Sequence, residues 1–261
     1  MYQNVDLSAS DVSIADNDVR YVPNSNISFC GIAHESRYNW VISRYDLTEK
    51  IVLDFGCGSG YGAHSLAKKA KIVYGIDYSP TAIEYAKSKY SGKNLKFFVA
   101  DACSQEDIFR FIDKNSLDIV CSFDVIEHLE KYFDYIQNIC LLLKEDGLLL
   151  IGCPNRLQLF KWNRNWNRYH FQEFSPYQLK KILELYFNDV VLVGQDFRDP
   201  LKREAICISR CGGGNSVKIK LLVISILPRF LKNILKRIYK KFRPKSKLDI
   251  NISDIEFKVL R

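Results

Sequence analysis

The chain has 261 residues, 47% of them apolar and 13% aromatic, which is enough to bury a sizeable core and excludes a wholly disordered protein. Lys and Arg number 38 against 30 Asp and Glu, a net charge of +8, yet 11 of the basic residues fall between Gly212 and Leu248, where no acid occurs. The rest, with 27 basic and 30 acidic residues, is a mildly acidic body bearing a basic tail.

The first twenty residues lack the basic start and apolar run of a secretory signal, which predicts a cytoplasmic protein. Residues 1–28 show no periodic pattern, and residues 1–46 are read as a cap segment ahead of a domain spanning 47–210. From Ile51 onward, short β-branched runs alternate with helical patterns, the arrangement that builds a parallel sheet covered on both faces. Strands are predicted at Ile51–Phe55, Ile72–Ile76, Leu95–Ala100, Leu117–Phe123, Leu148–Gly152 and Val190–Gly194. Ser79-Pro80 opens one helix, with Ala82, Ile83 and Ala86 on its apolar face, and Ser175-Pro176 opens another through Leu185. A closing strand is expected at Ala205–Ser209, with the alternating Ile250, Ile252, Ile255, Phe257 and Val259 competing for the place. Residues 211–217, with three consecutive glycines, read as a linker. Eight cysteines without a Cys-x-x-Cys pair predict reduced, mostly buried thiols and no metal.

The chemistry concentrates in Val52-Leu-Asp54-Phe-Gly56-Cys-Gly58-Ser-Gly60-Tyr-Gly62, a strand that ends in an acid and runs into glycines at a helix start. A dinucleotide would meet Asp54 as a like charge against its pyrophosphate, whereas a cationic ligand would be favoured by it. This stretch resembles the first motif of the class I S-adenosylmethionine-dependent methyltransferases, filled here by Asp54, Gly56, Gly58 and Gly60. The resemblance runs from about Cys30 to Arg210 and implies a Rossmann-like, doubly wound, mostly parallel seven-stranded sheet with S-adenosyl-L-methionine as cofactor. It implies further cofactor contacts at Asp77 and Tyr78, where the second strand ends and the family holds the ribose hydroxyls. Asp101 and Ala102 after the third strand stand where the family receives adenine, and Phe123 ends the fourth. The methionine carboxylate is expected at the backbone N–H groups of Gly58 and Gly60, with Tyr38 and Trp40 of the cap lying over the cofactor.

The second half is similar to a narrower branch, the bacterial glycan and small-molecule methyltransferases. Its marks are His34-Glu35-Ser-Arg37-Tyr38, Glu127-His128, Pro154-Asn155-Arg156, His170-Phe-Gln-Glu173 and Gly194-Gln195. A hydroxyl acceptor needs a base near neutral pH, which points to His170 first, then His128 and Glu173, with Asp124 a further candidate. His64 is expected on the surface. The segment Arg156–Tyr169, with two Trp and four Lys or Arg, is a candidate acceptor-binding loop.

In the tail, Leu231, Ile234, Leu235, Ile238 and Phe242 share a helical face opposite Lys232, Lys236, Arg237, Lys240 and Lys241. This basic amphipathic pattern over 218–261 is expected to dock peripherally on an anionic membrane, with nucleic acid the poorer partner. The combined expectation is a methyltransferase that O-methylates a sugar hydroxyl of a surface glycan or its lipid-linked precursor. The rivals are methylation of a quinone or other lipid-soluble phenol, methylation of RNA or DNA, and a catalytically silent membrane-associated partner protein.

Overall fold

A computed structural model describes residues 22, 29–157, 169–197 and 255–259. Helix α1 (Phe29–Arg44) precedes β1 (Ile51–Phe55), α2 (Tyr61–Ala67), β2 (Ile72–Asp77), α3 (Pro80–Lys89), β3 (Leu95–Val99), α4 (Gln105–Phe109) and β4 (Leu117–Phe123). A short 3-10 turn (Ile126–His128), α5 (Tyr132–Leu142), β5 (Leu143–Gly152), α6 (Pro176–Leu183), β6 (Val193–Phe197) and β7 (Ile255–Val259) follow. The predicted caps form: Ser79 Oγ accepts from the Ala82 N–H, and Ser175 with Gln178 makes a reciprocal capping box. Helix α6 ends at Leu183, short of the predicted Leu185, which is exposed.

Five strands pair in parallel in the order β3-β2-β1-β4-β5. Because successive strand residues point to opposite faces, Leu53 and Phe55 enter a core with Val120, Ile108 of α4, Ile136 and Ile139 of α5 and Leu179 of α6. Val52 enters the other core, with Val73, Ile119, Tyr38 and Val41 of α1, Leu66 of α2 and Ile83 of α3. Central strands buried on both faces read as continuous apolar runs, which is why β1 and β4 were legible. Chain order reverses direction between β1 and β4, and in open sheets of this kind ligands bind beyond the carboxyl ends at that point.

The expected seven strands in one sheet are not found among the described residues. β6 and β7 form a separate two-stranded sheet, so the alternation at 255–259 does supply a strand, and Ala205–Ser209 lies outside the described residues. The residues leading into β6 are too exposed for a strand buried on both faces, with Val191 at 67%. Within the cap segment, residues 29–44 form helix α1, for which the sequence reading gave no secondary structure. The chain divides into two compact units, Met1–Gly194 with Phe257–Arg261, and Gln195–Glu256; all the site residues below lie in the first. Among the described residues no helix is long and apolar enough to cross a membrane.

Candidate functional site

The glycine loop leaves β1 with three left-handed residues, Gly56 at φ 77°, Gly58 at φ 52° and Gly60 at φ 84°, a conformation that penalises any side chain. Space inside the protein demands glycine as well. A Cβ on Gly56 would stand 2.3 Å from Val125 Cγ2, and one on Gly62 2.1 Å from the Tyr38 ring. Gly56, Gly60 and Gly62 therefore serve backbone shape or internal packing, whereas among the described residues no atom stands within 4 Å of a Cβ on Gly58, which leaves room there for the close ligand approach that the sequence suggests. Expectation and structure also part at the N–H groups of the loop. Gly58 N–H donates to Asp77 Oδ2 (3.0 Å) and Gly60 N–H to the Cys57 carbonyl (2.9 Å), so neither is held open for a carboxylate.

Asp54, at the end of β1, is fully buried. Its Oδ1 accepts from the Tyr38 hydroxyl at 2.9 Å, while Oδ2 has no partner. Burial pushes this carboxyl up to about 7, the Tyr38 and Ala63 hydrogen bonds offsetting only part of the effect. Tyr38 is buried, edge-on to Tyr61 and Phe123, and Trp40 packs edge-on against Tyr45. Asp77 is nearly buried, its two oxygens fixed by Gly58 N–H and by Ser79 N–H (3.0 Å), with the ring of Tyr78 exposed beside it. Asp101 is exposed, Oδ1 accepting from Cys103 N–H (2.9 Å), and the Ala102 carbonyl accepts from Asn138 Nδ2 (3.0 Å).

Beyond β4, Asp124 adopts a left-handed φ of 57° that turns its side chain toward α1. Its Oδ2 accepts from Arg37 Nη1 at 2.6 Å and meets His34 Nε2 at 3.1 Å, while Oδ1 is buried without a partner. Burial alone would raise this carboxyl, but the Arg37 and His34 charges outweigh it and hold it below the ordinary range. Glu127 is 1% exposed, and neither carboxylate oxygen has a partner. Burial, with the Asp124 charge adding to it, pushes this carboxyl well above the usual range.

His128 and His170, remote in sequence, stand edge to face with ring centroids 4.8 Å apart. His128 Nδ1 meets the Tyr169 carbonyl at 2.8 Å and His170 Nδ1 meets Glu173 Oε1 at 3.1 Å, so in the neutral form of either ring these acceptors place the proton on Nδ1 and the lone pair on Nε2. Burial lowers the His170 imidazole despite the upward pull of Glu173, which keeps it neutral at neutral pH. His64 is half-buried and stacked on Tyr90 at 4.8 Å, not a plain surface residue. Of the candidate acceptor loop only Arg156, Leu157 and Tyr169 are described, and the tail at 218–254 lies outside the described residues.

Every candidate site residue thus stands at the carboxyl end of the sheet or just beyond it. Sequence reasoning did not foresee the His34–Asp124–Arg37 cluster or the buried state of Glu127; the one signal was that these residues sit in the same quoted motifs. Four buried carboxylate oxygens without partners, one on Asp54, one on Asp124 and two on Glu127, make this region ready for positive charge.

Residues 53–151 match the family described as Methyltransferase domain. A probable S-adenosylmethionine-dependent methyltransferase of Mycobacterium tuberculosis is 31% identical over 160 residues, covering 60% of this chain and 55% of that protein. A ubiquinone biosynthesis O-methyltransferase of Glaesserella parasuis is 37% identical over 112 residues, 41% of this chain and 46% of that one. The chain therefore spans about half the length of the curated relatives it matches. A crystal structure of a magnesium protoporphyrin IX methyltransferase from Synechocystis, solved with bound SAH, shares the fold with a TM-score of 0.53 at 20% identity, over 71% of this chain and 86% of that one. Over residues 53–151 the chain is thus similar to methyltransferase domains, and its sheet and helices have the fold of the Synechocystis enzyme.

Proposed function

We propose that the chain O-methylates a hydroxyl of a small acceptor, a sugar of a surface glycan or its lipid-linked precursor. The observation that carries the reading is the pair of buried, unpartnered carboxylate oxygens on Asp54 and Asp124 at the point where strand order reverses, since a cationic cofactor supplies the charge they lack. S-adenosylmethionine supplies an electrophilic methyl group on a sulfonium that leaves as a neutral thioether. Asp54 faces the cationic end. Asp77, oriented by two backbone N–H donors, keeps lone pairs for the two ribose hydroxyls. Tyr78 flanks the adenine with its exposed ring, Asp101 and Ala102 lie at the adenine edge, and Phe123 packs near the methionine end.

The group formed by His128, His170 and Glu173 handles the acceptor proton. Glu173 fixes the His170 tautomer, and the protein aligns the acceptor oxygen with the methyl. A phenolic acceptor is the second reading, favoured by the likeness to a ubiquinone biosynthesis O-methyltransferase. The basic segment at 218–247 brings the enzyme to an anionic membrane where either acceptor resides. Calorimetry with S-adenosylhomocysteine, followed by mass spectrometry of glycan and phenol panels incubated with S-adenosylmethionine, tests the proposal. Tight binding and a methylated sugar are expected; a methylated phenol alone transfers the case to the second reading, and no cofactor binding sinks both.

A further inference from the structure

We propose that Glu127, His128 and His170 hold a divalent first-row transition cation such as Zn2+, to which the acceptor hydroxyl coordinates. This deepens the reading above and rests on it. One ligand atom from each of the three residues lies within 4.8 Å of the others. Around an ion at about 2.1 Å such atoms stand roughly 3.4 Å apart, so a modest inward turn of the exposed His128 side chain closes the site.

Both imidazoles are already dressed as ligands. Each directs Nδ1 outward to an oxygen, the Tyr169 carbonyl for His128 and the Glu173 carboxylate for His170. That outer bond is what fixes tautomer and ring orientation in metal-binding histidines. The two segments are also pinned together at the backbone, where the Glu127 carbonyl accepts from Phe171 N–H (2.9 Å) and Gln172 N–H (3.3 Å). The third member is Glu127, buried with both oxygens unpartnered, a state that a cation relieves directly.

Two imidazoles and one carboxylate favour Zn2+ and its first-row neighbours over Mg2+ or Ca2+, and three protein ligands leave a position for an oxygen of the acceptor. An ion there lowers the pKa of that hydroxyl, the role otherwise left to a side-chain base. Asp124 is not one of the clustered ligand groups, and its Oδ2 is paired with Arg37 and His34.

The test uses the full chain, stripped with a chelator and titrated with Co2+ and Zn2+. One equivalent of Co2+ is expected to give visible bands without the near-ultraviolet band of a thiolate ligand. Zn2+ should displace it and excess Mg2+ should not. Glu127→Gln and His170→Ala should each weaken Co2+ binding by about 10- to 100-fold or more. Melting temperature and S-adenosylhomocysteine affinity should stay near those of the wild type. His128→Ala, at an exposed position, serves as the ligand deletion if either of the others fails to fold. No stoichiometric Co2+ binding, a thiolate band, equal competition by Mg2+, or unchanged affinity in the folded variants overturns the proposal. Intact S-adenosylhomocysteine binding without metal binding defeats the cation site alone, whereas loss of cofactor binding in the wild type defeats the methyl-transfer reading beneath it.

Discussion

Asp54 is the residue at which fold stability and cofactor binding pull in opposite directions, and Asp54→Asn separates them. In the cofactor-free protein burial raises this carboxyl from an ordinary 3.8 to about 7. The folded state therefore keeps a proton that the unfolded chain has given up. Stability attributable to the neutral form is complete below pH 4 and is lost as pH rises toward 7. A shift of about three units corresponds to about 4 kcal/mol. Asparagine is neutral at every pH, and its Oδ1 keeps the bond from Tyr38. Its amide introduces a buried donor that costs about 1–3 kcal/mol. At pH 8 a net gain of about 1–3 kcal/mol remains, or roughly 2–9 °C in melting temperature for a domain of this size. At pH 4 the gain should give way to a loss of about 1–3 kcal/mol, the cost of the buried amide donor alone. For S-adenosylhomocysteine the same substitution removes the charge facing the ligand ammonium and should cost about 1.5–3 kcal/mol, roughly 10- to 150-fold in affinity. Differential scanning fluorimetry at both pH values, with and without S-adenosylhomocysteine, reads both effects. A variant that melts below the wild type at pH 8 refutes the buried-acid argument, and an undiminished ligand-induced shift refutes the cationic contact.

Asp77→Asn keeps an acceptor for Ser79 N–H while removing charge, and calorimetry should show S-adenosylhomocysteine affinity about 10-fold or more lower in a folded protein. His170→Ala should lower turnover on the true acceptor by about 100-fold or more with cofactor affinity nearly unchanged, as single-turnover assays would show. Gly62→Ala drives a methyl into the Tyr38 ring and should cost about 1–3 kcal/mol by urea denaturation. Co-sedimentation of the full chain with anionic vesicles should exceed that with neutral ones and weaken as salt rises, if the basic segment engages the membrane as proposed.

The parts of this architecture that could be read in advance are those whose signal is local. Strands β1 and β4 are mostly apolar runs, interrupted only by Asp54 in the first and by Asp118 and Ser122 in the second, and the Ser79-Pro80 and Ser175-Pro176 starts carry their caps within four residues. Helix α1 escaped because its buried positions, Ala33, Tyr38 and Val41, are interleaved with His34, Arg37 and Asn39, which weakens the helical period. The polar residues are there to reach the site. Single-strand motifs named Asp54, Asp77 and Asp124 as acids, but not what each faces. The bond from Tyr38 to Asp54 and the pair of Arg37 with Asp124 arise from packing α1 across the sheet ends, and no spacing rule encodes that. The meeting of His128 with His170 depends on backbone bonds between the Glu127 and Phe171 segments, 44 residues apart. Residues 255–259 form a strand by pairing with β6 in a separate sheet, a partner that alternation alone could not name.

The hydrogen bond between Arg37 and Asp124 joins residues 87 positions apart. During synthesis at about 5–20 residues per second, roughly 4–17 s separate the appearance of the two. Throughout that interval β4 is absent, so the sheet has no edge against which Arg37 can settle, and parallel pairing offers no nearby hairpin as a substitute. The amino-terminal helix is thus made early and seated late. Tyr38 can meet Asp54 and Gly62 once β1 and α2 have emerged, but the Arg37 pairing that fixes the other side of α1 waits for the residues that follow β4.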